Sequence, residues 1–182
     1  MNLEEKQIKK EYTYKGKIIN LRTDTALLPN GNTALREVVE HPGGVCVAAI
    51  TEDNEILMVK QYRYPYEEIV LEIPAGKRDK NGESPLECGI RELKEETGAT
   101  AEHFFSLGTL YPTPGYCDEV IWLYGAKGIT FGENKPDEDE FLTVEKIPLE
   151  TAVKMILSGE IKDAKTQTAI LKLKIMLDEK LI

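Results

Sequence analysis

The chain has 182 residues, 41% of them hydrophobic, which is enough for one well-packed domain with room for a small appended subdomain. Its formal charge of −9 argues against a nucleic-acid backbone as partner, because that affinity rests on neutralising phosphates with Lys and Arg. Cys46, Cys88 and Cys117 are odd in number and far apart, so they suggest neither a disulfide framework nor a zinc site. The charged N-terminus MNLEEKQIKKEY lacks the apolar core of a signal peptide, and no segment approaches the ~18 apolar residues of a membrane span, so a soluble, cytoplasmic protein is expected.

From Gln7 to His41 polar and apolar residues alternate, with Pro29-Asn30-Gly31-Asn32 as a hairpin turn, and this reads as a small antiparallel sheet. His41-Pro42-Gly43-Gly44 interrupts it, which sets a boundary between an N-terminal β subdomain, 1–43, and a second domain, 44–182. The apolar run Val45 to Ile50 predicts a strand buried on both faces. Further strands are expected at Ile56 to Gln61, Ile69 to Ile73, Phe104 to Leu110, Val120 to Tyr124 and Phe141 to Ile147. The Tyr111 to Gly115 stretch, with two prolines, must be a loop, and Glu133 to Glu140 reads as an acidic loop. Helices are expected at Leu149 to Leu157, stopped near Gly159, and at Ala164 to Lys180, capped by Asp163. Strands mixed with few helices in this irregular order point to α+β, or to an α/β/α sandwich around a mixed sheet.

The most informative stretch is Ala75 to Ala99, a glycine-marked loop leading into a carboxylate-rich helix. Ser84 suits the N-cap, Pro85 the first helical position, Glu87 completes a Ser-x-x-Glu capping box, and Gly98 supplies a left-handed stop. Leu86, Ile90, Leu93 and Thr97 are expected to form the buried stripe, with Glu92 and Glu96 opposite it and Glu95 on the flank. Glu87 with Arg91 and Arg91 with Glu95 are ordinary i,i+4 ion pairs, whereas Glu92 is followed at that spacing by Glu96. A divalent cation would relieve the repulsion, since hard ions such as Mg²⁺ take carboxylate oxygens and keep waters and phosphates as further ligands.

Gly76, six residues, Glu83, seven residues, then Arg91-Glu92-Leu93-Lys94-Glu95-Glu96-Thr97-Gly98-Ala99 resembles the Nudix box, G-x5-E-x7-R-E-U-x-E-E-x-G-U, with one extra residue in the loop. Arg36-Glu37-Val38-Val39 with His41-Pro42-Gly43, Gln61-Tyr62-Arg63-Tyr64-Pro65, Glu72-Ile73-Pro74-Ala75-Gly76-Lys77 and Pro114, sixteen residues beyond Gly98, extend the resemblance to the ADP-ribose pyrophosphatase branch over Arg36 to Thr168.

The resemblance implies a Nudix α/β/α sandwich around a mixed sheet, with the N-terminal sheet swapped onto a partner subunit in a homodimer. It implies metal-dependent hydrolysis of ADP-ribose to AMP and ribose 5-phosphate, with Mg²⁺ or Mn²⁺ in two or more copies. Glu92 and Glu96 are then core metal ligands, Glu95 a further ligand or a bridge through water, and the Ala75 carbonyl a backbone ligand. Glu83 and Arg91 are expected to form an internal salt bridge. The general base falls to Glu140, with Glu138 second. Arg36 and Arg63 are candidates for substrate phosphate or the adenine side, and Glu119 and Glu72 for ribose hydroxyls or the metal site. His41 is expected to be a turn residue and Trp122 a core residue. The alternatives are a pyrophosphatase for another nucleoside diphosphate sugar such as GDP-mannose, and a module that senses ADP-ribose without cleaving it.

Overall fold

The computed structural model describes residues 2–80, 82–133 and 141–182. The chain forms two compact units, one of residues 1–43 with Tyr111–Val120, the other of Gly44–Leu110 with Ile121–Ile182. No helix among the described residues is long and apolar enough to cross a membrane.

In the first unit β1 (Lys6–Lys15), β2 (Asn20–Leu27) and β3 (Thr33–Glu40) pair antiparallel in the order β1-β2-β3. The predicted turn closes through Leu28 N donating to Asn32 O at 2.8 Å, and Gly31 takes φ 86°, a conformation that side chains disfavour. The Tyr111–Val120 segment is stitched to this sheet: Val39 N donates to Tyr116 O at 2.7 Å and Asp118 N to Val39 O at 3.1 Å.

The second unit holds β4 (Gly44–Ala49), β5 (Glu55–Arg63), a single 3₁₀ turn at Tyr64–Tyr66, β6 (Glu68–Glu72), β7 (Ala75–Lys77) and α1 (Pro85–Thr97). It continues with β8 (Ala99–Leu110), β9 (Ile121–Phe131), β10 (Leu142–Pro148), α2 (Leu149–Ser158) and α3 (Ala164–Asp178). One sheet runs β7-β4-β9-β8, with β4 and β9 parallel and the rest antiparallel; a second runs β10-β5-β6. This is the expected α+β architecture with a mixed sheet between helices.

Every residue of β4 is buried, as its unbroken apolar run predicts. The pleat then divides its side chains. Val47 and Ala49 pack with Leu93 of α1, whereas Cys46 and Ala48 pack with Ala169, Ile170 and Leu173 of α3. Leu93 and Leu173 are fully buried, each contributing about 1.5–3 kcal/mol of apolar transfer. Helices on both faces of the four-stranded sheet thus fix the strand that neighbours the glycine loop.

The structure lengthens three predicted strands, β5 slightly, to Glu55–Arg63, and β8 and β9 most. β8 begins at Ala99 rather than Phe104, and β9 runs to Phe131 rather than Tyr124. Polar residues and the glycines Gly125 and Gly128 hide the pattern in sequence, while the ladder Ala99↔Phe131 to Leu110↔Ile121 supplies backbone hydrogen bonds regardless of side chain. Glycine at 125 serves packing: a Cβ there would lie 2.2 Å from the Phe105 ring.

Candidate functional site

Helix α1 is bounded as its sequence dictates. Glu87 N donates to Ser84 Oγ at 3.3 Å, Ser84 N donates to Glu87 Oε2 at 2.8 Å, and Gly98 ends the helix at φ 70° with its N–H on Lys94 O at 2.9 Å.

Which face is buried differs from the sequence reading. Cys88, Gly89, Glu92, Leu93, Glu96 and Thr97 are buried, whereas Leu86 and Ile90 are 38% and 43% exposed. The glutamates stand about 100° from Leu93 and Thr97 around the helix rather than opposite them. Glycine accounts for the difference. A Cβ on Gly76 would fall 1.9 Å from the Glu92 carboxyl carbon, and one on Gly89 would lie 3.1 Å from Val45. Bare backbone at these two points lets β7 and β4 approach α1 closely enough to cover carboxylates that, by charge alone, belong in water.

Each carboxylate has a defined seat. Ala75 N donates to Glu96 Oε2 at 3.0 Å. Arg91 grips Glu83 with two bonds, Nε to Oε1 at 2.8 Å and Nη2 to Oε2 at 3.0 Å, as expected. Its Nη1 reaches both Glu92 Oε1 and Glu95 Oε2 at 2.7 Å, so a cation does stand beside Glu92. These bonds, Glu83 first, hold the guanidinium charged, and Arg91 in turn holds the Glu83 carboxyl below the usual range. Burial pushes the neighbouring Cys88 thiol up to about 12.

Among the described residues no three His, Cys, Asp or Glu side chains converge as a ready-made cage. The residues nevertheless suit a hard divalent ion. Glu92 and Glu96 offer carboxylate oxygens on successive turns of one helix beside backbone of Ala75 and Gly76, and Mg²⁺ completes its shell with water and phosphate. A cleft of about 780 Å³ runs along the same helix, lined by Glu87, Ile90, Arg91, Lys94, Glu95 and Glu133.

Arg63 and Glu72 meet directly. Arg63 Nε donates to Glu72 Oε1 at 2.5 Å and Nη2 to Oε2 at 2.6 Å, with Glu72 only 2% exposed. Lys165 Nζ also bonds Glu72 Oε2 and lies 3.0 Å from Asp163 Oδ1. Burial alone would raise the Glu72 carboxyl, but Arg63 and Lys165 together hold it below its ordinary value.

Arg36 and Glu119 belong to the first unit. Arg36 Nε and Nη2 donate to Glu5 at 2.9 and 2.7 Å on an exposed surface. Glu119 Oε1 lies 3.3 Å from His41 Nδ1, which also accepts from Gly43 N, consistent with His41 as a turn residue. Glu140 and Glu138 lie outside the described residues. Trp122 is half-buried rather than core, with the Arg78 guanidinium stacked 4.4 Å over its ring.

Two residues with a part in this arrangement carry no obvious sequence signal: Lys165 sits in a stretch without motif and Arg78 in a loop of mixed charge. Gly76 is marked by the motif, but its packing role depends on what lies above it.

A family model described as NUDIX domain matches residues 33–167, and one described as nucleoside diphosphate sugar hydrolase N-terminal domain matches residues 5–39. The ADP-ribose pyrophosphatase of Bacillus subtilis is 46% identical over 171 residues, 93% of this chain and 92% of that protein. The methanol dehydrogenase activator of Bacillus methanolicus is 46% identical over 169 residues, 92% of this chain and 91% of that protein. The ADP-ribose pyrophosphatase of Mycobacterium tuberculosis is 37% identical over 157 residues, 85% of this chain and 75% of that protein. A crystal structure of an ADP compounds hydrolase superposes with a TM-score of 0.86 over 99% of this chain and 98% of that one; at 21% identity the likeness is one of fold.

Proposed function

The chain belongs to the NUDIX domain family, and from that premise we propose that it hydrolyses the pyrophosphate bond of ADP-ribose to AMP and ribose 5-phosphate. The observation that carries the chemistry is the seating of the Glu92 and Glu96 carboxylates against Gly76 and the Ala75 amide. The substrate rests on the Bacillus subtilis ADP-ribose pyrophosphatase, similar over nine-tenths of both chains.

In this reading Glu92, Glu96 and Glu95, with the Ala75 carbonyl, would hold two or more Mg²⁺ ions, with Mn²⁺ as substitute. When bound, such ions neutralise pyrophosphate oxygens and lower the pKa of a water. Arg91 keeps the Glu92 and Glu95 carboxylates oriented, and Ala75 N–H does so for Glu96. Arg63 uses Nε and Nη2 on Glu72, which among the described residues leaves the Nη1 donors for a phosphate oxygen. Arg36 receives the adenine side or a phosphate and Glu119 serves the ribose or metal side, whereas Glu72, buried with both oxygens bonded by Arg63 and Lys165, contributes through Arg63. Glu140 accepts the proton of the attacking water. One P–O bond forms from that water and the bridging P–O bond breaks, so each product leaves with one phosphate. The protein acts in the cytoplasm as a homodimer joined through its N-terminal sheet.

The test is a panel of nucleotide substrates, including ADP-ribose and GDP-mannose, assayed with Mg²⁺ by phosphate release after coupling to a phosphatase. ADP-ribose should lead in kcat/KM. The methanol dehydrogenase activator is as similar as the pyrophosphatase, so the panel decides where similarity does not. Faster cleavage of GDP-mannose would replace the substrate and keep the class. Tight ADP-ribose binding without product would make the chain a sensor.

A further inference from the structure

Lys165 breaks two local preferences. It lies in the first turn of α3, where the helix dipole disfavours a cation, and its side chain is only 12% exposed. Such departures mark places where something other than folding sets the residue. The residues around it show what. Asp163, the N-cap of α3, accepts from Thr166 N at 2.9 Å with Oδ2 and lies 3.0 Å from Lys165 Nζ with Oδ1. Lys165 Nζ then bonds Glu72 Oε2, the oxygen that also receives Arg63 Nη2. One residue further, fully buried Thr166 accepts from Ile73 N at 3.0 Å, so the first turn of α3 holds the end of β6 at two adjacent points. Ile73 and Pro74 lead directly into Ala75 and Gly76.

We infer that Lys165 is a positioning residue for phosphate recognition, acting through Glu72 on the Arg63 guanidinium. The inference rests on the reading of Arg63 as a phosphate ligand.

The physical basis is a charge count. Arg63 and Glu72 alone form a neutral, doubly bonded pair, whose cation is largely spent on its own carboxylate. Lys165 draws on the same carboxylate and brings the trio to one net positive charge. Asp163, 3.0 Å from Lys165 Nζ, brings the four groups to neutrality, but it bonds Lys165 and not the Arg63 fork, both of whose bonds go to Glu72. Because Lys165 shares the Glu72 carboxylate, that carboxylate spends less of its charge on Arg63, which keeps its fixed fork and retains positive character at Nη1. Asp163 and then Glu96 act on Arg63 electrostatically as well, after Glu72, which puts the guanidinium within the field of the acidic platform.

The test compares Lys165→Met and Lys165→Arg in the full chain, alone and combined with Arg63→Ala, by calorimetric titration with magnesium pyrophosphate, which needs no turnover. Lys165→Met should weaken pyrophosphate about tenfold, the equivalent of losing part of one charge-assisted contact. Lys165→Arg should recover most of that, and Lys165→Met should add nothing in the Arg63→Ala background. If Lys165→Met does not fold, Lys165→Gln keeps a donor toward Glu72 without the charge and should show the same loss. Unchanged affinity, an equal loss with and without Arg63, or no pyrophosphate binding by the wild type overturns the inference. ADP-ribose turnover is scored separately on the wild type, with an increase in KM at constant kcat expected for Lys165→Met. Failure of the wild type to cleave ADP-ribose sinks the substrate reading and leaves the pyrophosphate result standing.

Discussion

Gly76 lies so close beneath Glu92 that a methyl group at position 76 would fall 1.9 Å from the Glu92 carboxyl carbon. The contact involves no unusual backbone angle at Gly76. It is a demand for space, and it couples the strand after Pro74 to the acidic helix.

Gly76→Ala should therefore displace Glu92 while leaving the hydrophobic clusters untouched. A misplacement near 1 Å at a reacting centre costs on the order of a hundredfold. We expect kcat to fall by about that factor with a nearly unchanged circular dichroism spectrum. A variant of wild-type activity would show that the Glu92 seat is not part of the catalytic geometry.

Glu96→Gln keeps an oxygen to accept the Ala75 N–H, so the fold should survive, but it removes a charge from the metal platform. Turnover should drop about 10²–10³-fold, the range seen when one preorganised electrostatic group is lost. Chelation with EDTA should abolish the wild-type activity, and added Mg²⁺ should restore it. Turnover that persists at full rate in the chelated protein would contradict the proposed chemistry.

The Glu72 carboxyl is buried, yet held below its ordinary value by Arg63 and Lys165. A depressed carboxylate contributes stability that is fully present above its unfolded pKa, about 4.3, and lost as pH falls through the folded value. Denaturant titrations between pH 7 and pH 3 should show the wild type losing stability on the acid side of that window. Glu72→Gln should start lower at pH 7 and decline less steeply. Parallel profiles for the two proteins would show that Glu72 is not a source of the acid sensitivity.

Cys46 and Cys88 are fully buried and burial pushes both thiols up to about 12, whereas Cys117 is partly exposed. Thiolate is the reactive form. A maleimide at neutral pH should label the native protein at Cys117 alone, and all three cysteines after unfolding, as read by peptide mass. Labelling of Cys88 in the native state would mean that α1 opens from the sheet.

The sequence contained nearly all of α1, because its limits are set by residues within one turn of each end. The capping box, Pro85 and Gly98 need no partner from elsewhere in the chain. Strand β4 was equally legible, since a strand covered on both faces is apolar throughout. What escaped was information held by distant pairs. The burial of Glu92 depends on Gly76, the charge state of Glu72 on Arg63 and on Lys165 ninety-three positions away, and the stacking of Trp122 on Arg78. The pattern set Glu92 and Glu96 opposite the apolar stripe and gave no sign of their burial, because a helix read alone has no record of the backbone that will cover it. The later half of β9 was hidden for a related reason: its ladder is made by backbone atoms, to which glycines contribute as well as any residue.

The local capping of α1 bears on the extra residue between Gly76 and Glu83. Upstream, Gly76 is fixed under Glu92; downstream, Glu83 is clamped by Arg91 and Ser84 starts the helix through its own bonds. Both ends of the loop are thus anchored independently of its length. An insertion there changes the arc of the loop without rotating Glu92, Glu95 or Glu96 by a single helical step. The stretch is a place where evolution can add or delete residues, and so remodel the surface beside the site, while the spacing of the carboxylates is inherited unchanged.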